Sequence, residues 1–161
     1  PGGGAAMPTQ EQQQEQHEIE QQQIESARQW LTESDEALRI RGAEQLSAYP
    51  VRESALALVK ALKQDASSAV RAAAAASLSY FEPSKPHSFI INELFSALSD
   101  RDQEVASNAF SSLQALITHP DLEAKTATQT INKLKQLAKK PRLSEVTRQM
   151  LEDFLHDQSS L

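Results

Sequence analysis

The sequence contains no cysteine. That excludes a disulfide framework, a thiolate nucleophile and Cys-ligated zinc, and it leaves the compartment open, because a cysteine-free chain suits cytoplasm and periplasm alike. Glycine is nearly as scarce: of the four present, three stand at positions 2–4, so the body of the chain cannot shape a Gly-rich phosphate loop or a Gly-x-Ser-x-Gly elbow. Aromatic residues make up only 5%. No run approaches the roughly 20 apolar residues that span a bilayer, and no charged-then-apolar leader opens the chain. Positive charge is in deficit, with a net charge of −6 and a pI near 5.2. That balance argues against a general nucleic-acid binder and favours a soluble chain.

What is present is helix-forming: Ala, Leu, Gln, Glu and Ser predominate. A length of 161 residues suits one cooperative unit or a few stacked repeats. Residues 1–6, within Pro1-Gly-Gly-Gly-Ala-Ala-Met7, read as a cloning remnant or linker. On that reading the chain is the soluble part of a longer, anchored protein. Residues 10–23 are almost wholly Glu and Gln, with Ile19 the one apolar residue. Such a tract buries no face of its own, so residues 1–23 are expected to be a disordered linker or frayed helix. It could also pair with a copy of itself, but it lacks the sustained apolar heptads of a coiled coil.

From Ile24 onward apolar residues recur at intervals of three and four, as in Ile24, Ala27, Leu31 and in Ala55, Leu58, Val59, Leu62. These are amphipathic helices. Prolines 50, 83, 86, 120 and 141 break the chain into blocks of about one helix pair each. Within the blocks a pattern repeats. Leu38-Arg39-x-x-Gly42-x-x-x-Leu46, Val70-Arg71-x-x-Ala74-x-x-x-Leu78, Val105-Ala106-x-x-Ala109-x-x-x-Leu113 and, less well, Val146-Thr147-x-x-Met150-x-x-x-Phe154 begin 32, 35 and 41 residues apart. Positions i, i+4 and i+8 lie on one helical stripe, and a small central residue lets the paired helix approach closely. Acidic turns precede three of these helices, at Ser34-Asp35, Gln64-Asp65 and Asp100-Arg101-Asp102. Asp100 with Gln103 makes a capping-box pattern. Phe110 and Ile117, off the Val105 stripe, are expected to face the next repeat.

These residues resemble HEAT repeats, whose second helix follows an acidic turn with Val-Arg and a small residue. Leu58-x-x-x-Leu62-x-x-Asp65 followed by Val70-Arg71 is the clearest copy; Ala106 stands where the family prefers Arg, and the unit from about 121 to 157 departs most. Armadillo and other helical hairpins share much of the pattern, and an ordinary helical bundle is the competing architecture. The resemblance covers residues 24–157, with 158–161 as a disordered tail. It implies an all-α, right-handed solenoid of about four hairpins, in which Arg39, Arg71, Asp65 and Asp102 form a structural ladder between repeats. It also implies a non-enzymatic scaffold or adaptor that binds another protein through its second helices. The positions opposite each core stripe are Ile40, Glu44 and Ser47; Ala72, Ala76 and Ser79; Ser107, Ser111 and Gln114; and Arg148 and Glu152. A plainer reading of the Ala-rich stretch 72–76 is tight packing and helix propensity.

Other constellations carry less. The four histidines, His17, His87, His119 and His156, share no ligand spacing. Asp100-x-Asp102-x-Glu104 opens like a calcium loop but lacks the sixth-position glycine and the twelfth-position glutamate. Glu152-Asp153 would need a buried cleft to act as paired carboxylates. No catalytic, metal or cofactor site is expected, and no small-molecule substrate; for a glycosylase-like or lyase-like HEAT enzyme the chain is too short and too bare. Trp30 reads as core of the first hairpin, with a partner or self-association contact as the alternative. The basic run Lys133, Lys135, Lys139, Lys140 and Arg142 is the alternative functional surface, for nucleic acid or an anionic membrane. Against it, cations near a helix C-terminus suit the macrodipole, and no aromatic is interleaved for base stacking.

Overall fold

Side-chain caps set where the amphipathic stretches begin. Thr9 and Gln12 form a reciprocal capping box, Asp35 accepts from the Ala37 N–H, Ser67 from Val70 and Asp102 from Val105, each satisfying an N–H that has no partner within the helix. Asp102 therefore caps where Asp100 was expected to; Asp100 sits two residues earlier, accepting from the Asp102 N–H. A computed structural model describes residues 6–83 and 87–159. Among them the α-helices are α1 Gln10–Trp30, α2 Glu36–Leu46, α3 Arg52–Gln64, α4 Ser68–Ser77, α5 Phe89–Ala97, α6 Gln103–Ile117, α7 Ala124–Ala138 and α8 Glu145–Ser159, with a 3-10 turn at Leu78–Tyr80 and no strand. Residues 1–5, the chain end at 160–161 and the breaker Pro86 lie outside the described residues. Residues 10–23 form the first two-thirds of α1, exposed apart from half-buried Glu20 and Gln21. None of the helices of the described residues is long and apolar enough to cross a membrane.

Each odd-numbered helix packs on the even-numbered one that follows. The even helices also pack on one another in order, α2 on α4, α4 on α6 and α6 on α8, while α1 touches α3 and α3 touches α5. One continuous core results, and the repeated stripe lies at its centre: Val70, Ala74, Leu78, Val105, Ala109 and Leu113 are fully buried. Gly42 shows why the central position must be small. A Cβ there would lie 2.7 Å from the Ala27 carbonyl oxygen and 3.0 Å from the Trp30 Cβ, inside contact distance of another helix's backbone. Trp30 is half-buried beside it, with the Arg41 guanidinium 5.2 Å from the ring centroid.

The α4–α6 contact is close enough for α6 side chains to reach α4 carbonyls: Asn108 Nδ2 donates to Ala72 and Ser112 Oγ to Ala75, at 3.1 and 2.6 Å. Ala72, Ala74 and Ala75 are buried there, so most of the alanine stretch is packing. Phe110 and Ile117 are buried, and Phe110 meets Phe154 edge-on at 5.9 Å, the contact with the next helix pair that the position of Phe110 predicts.

The last unit has a different register from the one its apolar spacing predicts. Val146 is 55% exposed, whereas Thr147 and Leu151 are buried. The stripe therefore begins with Thr147-Arg148-x-x-Leu151, one residue later, although Phe154 of the expected stripe is buried too, and Arg148 falls on the position of Arg39 and Arg71.

Candidate interaction surface

The arginines show how adjacent units are joined. Arg39 Nη1 donates to the Glu33 and Ser34 carbonyls in the turn before its own helix, while Nε and Nη2 reach Asp65 of the next unit at 3.1 and 3.3 Å. Arg71 repeats this, donating to the Asp65 and Ala66 carbonyls and to both oxygens of Asp100, at 3.0 and 3.2 Å. The partner is Asp100, not the Asp102 implied by the family resemblance, because Asp102 is held at the α6 cap. Burial pushes the Asp100 carboxyl up, but the Arg71 hydrogen bonds, the Asp102 N–H and nearby positive charge outweigh it and hold the group below the ordinary carboxylate range. Hydrogen bonding to Asp100 raises Arg71 in turn. Ala106 breaks the ladder at α6. In its place Gln103 donates to Thr147 Oγ1 and accepts from Ser144 Oγ, at 3.0 and 2.7 Å.

Arg148, expected on the partner-binding strip, follows the ladder pattern. It donates to the Ala138 carbonyl at 3.0 Å, and also to the Lys140 carbonyl and to Glu145. Its guanidinium closes the α7–α8 turn.

Six of the remaining strip residues come together. Ile40, Glu44 and Ser47 of α2 and its end, with Ala72, Ala76 and Ser79 of α4 and its turn, line a groove of about 660 Å³. Ala69, Ala73 and Ser77 of α4, Tyr80 of the 3-10 turn, and Glu104 and Asn108 of α6 complete the lining. Among the described residues Glu44 and Glu104 are its only charged lining residues, and Tyr80 is 68% exposed. Ser107, Ser111, Gln114 and Glu152 are not among the lining residues; Ser107 accepts from Gln103 on the α8 side, and Ser111, Gln114 and Glu152 are exposed. The helical wheel missed Glu104 and Asn108 because it sought positions opposite the core stripe. An even helix packs on both of its even neighbours, so a groove between two of them opens on the flank of the stripe. Tyr80 was missed because it lies in the 3-10 turn, beyond the α-helical period.

The basic run divides between faces. Lys133 and Lys140 line a second groove with Phe95, Asn132, Gln136 and Leu137, and the Lys133 Nζ lies 5.9 Å from the Phe95 ring centroid. Lys135, Lys139 and Arg142 are exposed elsewhere. Among the described residues no group of three or more His, Cys, Asp or Glu could hold a metal ion. The carboxylates of the calcium-like sequence have other work, Asp100 with Arg71 and Asp102 at the cap.

A family model described as HEAT repeats matches residues 55–155. No curated protein matches the chain. HEAT repeats are commonly protein–protein interaction scaffolds, and the family is typically non-enzymatic. The stacked helix pairs, the Arg–Asp ladder and a match over more than half the chain lead to one conclusion: this chain belongs to the HEAT-repeat family.

Proposed function

We propose that the chain is a non-enzymatic scaffold that binds a segment of another protein in the groove between α2, α4 and α6. The groove sits in what we read as a right-handed stack of four helical hairpins. The observation that carries the reading is the groove's make-up. Small side chains of α4 line it and let a partner's backbone approach, with an exposed tyrosine, Tyr80, and a carboxylate from each flanking helix, Glu44 of α2 and Glu104 of α6. Exposed tyrosine is a frequent anchor at interfaces because its ring brings large contact area at little entropic cost.

A pull-down from native lysate tests this with three forms of the full chain: unaltered, Ala76→Glu with Ser79→Arg inside the groove, and Ser111→Arg outside it. The expected result is a partner retained by the unaltered chain and by Ser111→Arg and lost by the groove variant, with circular dichroism the same for all three. Equal retention by all three would remove the groove from the reading. Retention of nucleic acid or lipid alone would replace the scaffold with a charged-surface binder using Lys133, Lys135, Lys139, Lys140 and Arg142.

A further inference from the structure

We propose that the exposed N-terminal part of α1 in one copy docks into the Phe95–Leu137 groove of a second copy, joining molecules head to tail. This surface is separate from the α2–α4–α6 groove, and the inference does not depend on that reading.

Two segments of the chain are complementary in charge. Residues 10–23 carry four glutamates, Glu11, Glu15, Glu18 and Glu20, and no Lys or Arg. Residues 124–142 carry six Lys or Arg and no Asp or Glu. Each segment gathers like charge that it does not balance internally, and the remainder of the chain separates them.

The apolar features match as well. The groove is about 360 Å³, built on Phe95 of α5 and Leu137 of α7, both half-buried, with Lys133 and Lys140 as its cations. That is an apolar slot with ammonium groups on its border. The N-terminal part of α1 presents the reverse: Ile19, 52% exposed and the one apolar residue of 10–23, with Glu15 one turn before it and Glu18 and Glu20 on either side. A helix laid on the slot would bury Ile19 against Phe95 and Leu137 while its glutamates meet Lys133 and Lys140. Helices this short and solvated are marginal in water without a packed face, so docking would stabilise the part of α1 that the fold leaves bare.

Fold geometry sends the contact to another copy. α1 packs on α2 and α3, and α7 on α6 and α8, so the two surfaces belong to opposite ends of the series of packed helices. Because the contacting surfaces differ, a single such contact leaves one helix and one groove unoccupied, so association continues into chains or rings unless the second copy returns the contact in a reciprocal pair.

Sedimentation velocity on the full chain tests the inference, at about 0.01 M and about 1 M salt, where charges are screened beyond about 30 Å and about 3 Å respectively. Association rising with concentration at low salt and collapsing at high salt is expected. The double substitutions Glu15→Lys with Glu18→Lys, and Lys133→Glu with Lys140→Glu, alter exposed side chains and should each weaken self-association by at least about tenfold. An equimolar mixture of the two variants should recover it, since the altered helix then meets the altered groove and the unaltered helix the unaltered groove. Three results would overturn the proposal: an unaltered chain that stays monomeric at low salt, whatever DNA or other protein it holds; association indifferent to either pair of substitutions; or a mixture that stays dissociated while both variants keep the helical circular dichroism of the parent.

Discussion

Asp100 meets three demands in one turn. It accepts two hydrogen bonds from Arg71 and one from the Asp102 N–H, with the arginine and aspartate side chains 8% and 14% exposed. Removing one partner of such a pair leaves the other charge poorly solvated, so Asp100→Asn should lower stability by about 2–3 kcal/mol near neutral pH. The substituted amide oxygen can still accept from Asp102, which confines the loss to the Arg71 contact. The carboxyl is held below its ordinary value in the folded chain. Its contribution is therefore full above the unfolded value, about 3.9, and is lost as pH falls below that through the lower folded value. Urea unfolding at a series of pH values should show the parent losing stability below about pH 4 more steeply than Asp100→Asn does. Equal slopes would mean that Asp100 is as easily protonated folded as unfolded.

Helices are held at the distance their smallest residues permit. Gly42 lies within α2, where an alanine would gain about 1 kcal/mol of helix propensity. At this position the added methyl would meet the Ala27 carbonyl of α1, and overpacking of that kind costs about 1–3 kcal/mol. Gly42→Ala is accordingly expected to unfold at lower urea, with a net loss of about 1 kcal/mol. A net gain would show that α1 and α2 can separate freely. The same scale explains the register of the last unit. Val146 and Thr147 differ little as helix residues, and the apolar spacing favours the valine; which of them turns inward depends on Arg148 reaching the Ala138 and Lys140 carbonyls, contacts that no local pattern announces.

Across the whole molecule the units are joined unequally. Charged rungs tie α2 to the turn before α4, and α4 to the turn before α6, but Ala106 leaves α6 without one, and the α6–α8 junction rests on the Gln103–Ser144–Thr147 hydrogen bonds and the Phe110–Phe154 contact. In a stack where each unit contacts only its neighbours, stability is close to a sum of local terms, so the weakest junction opens first. Native-state hydrogen exchange should find amides of α7 and α8 less protected than those of α3, α4 and α6. Phe154→Ala should widen that gap while leaving protection in α3 and α4 unchanged. Uniform protection throughout, lost together in the variant, would mean that the chain unfolds as one unit despite its missing rung.

Features set by contacts a few residues apart were legible in the sequence: the helical period, the small residue at the centre of each stripe, the breaks near the prolines, and the Asp35 cap. These follow from the helix's own geometry and its unpaired terminal N–H groups, so the order of residues along the chain was enough to reveal the repeat and its family. Tertiary structure decided whatever required knowing which helix lies against which. Asp100 replaced Asp102 as the partner of Arg71, Thr147 replaced Val146 in the core, and Arg148 left the proposed strip for a turn. The groove took Ile40, Glu44, Ser47, Ala72, Ala76 and Ser79 from that strip but added Ala69, Ala73, Ser77, Tyr80, Glu104 and Asn108. A periodic pattern gives each side chain's direction around its own axis, whereas a groove or a rung is formed between axes, whose spacing and tilt come from the packing of the whole stack.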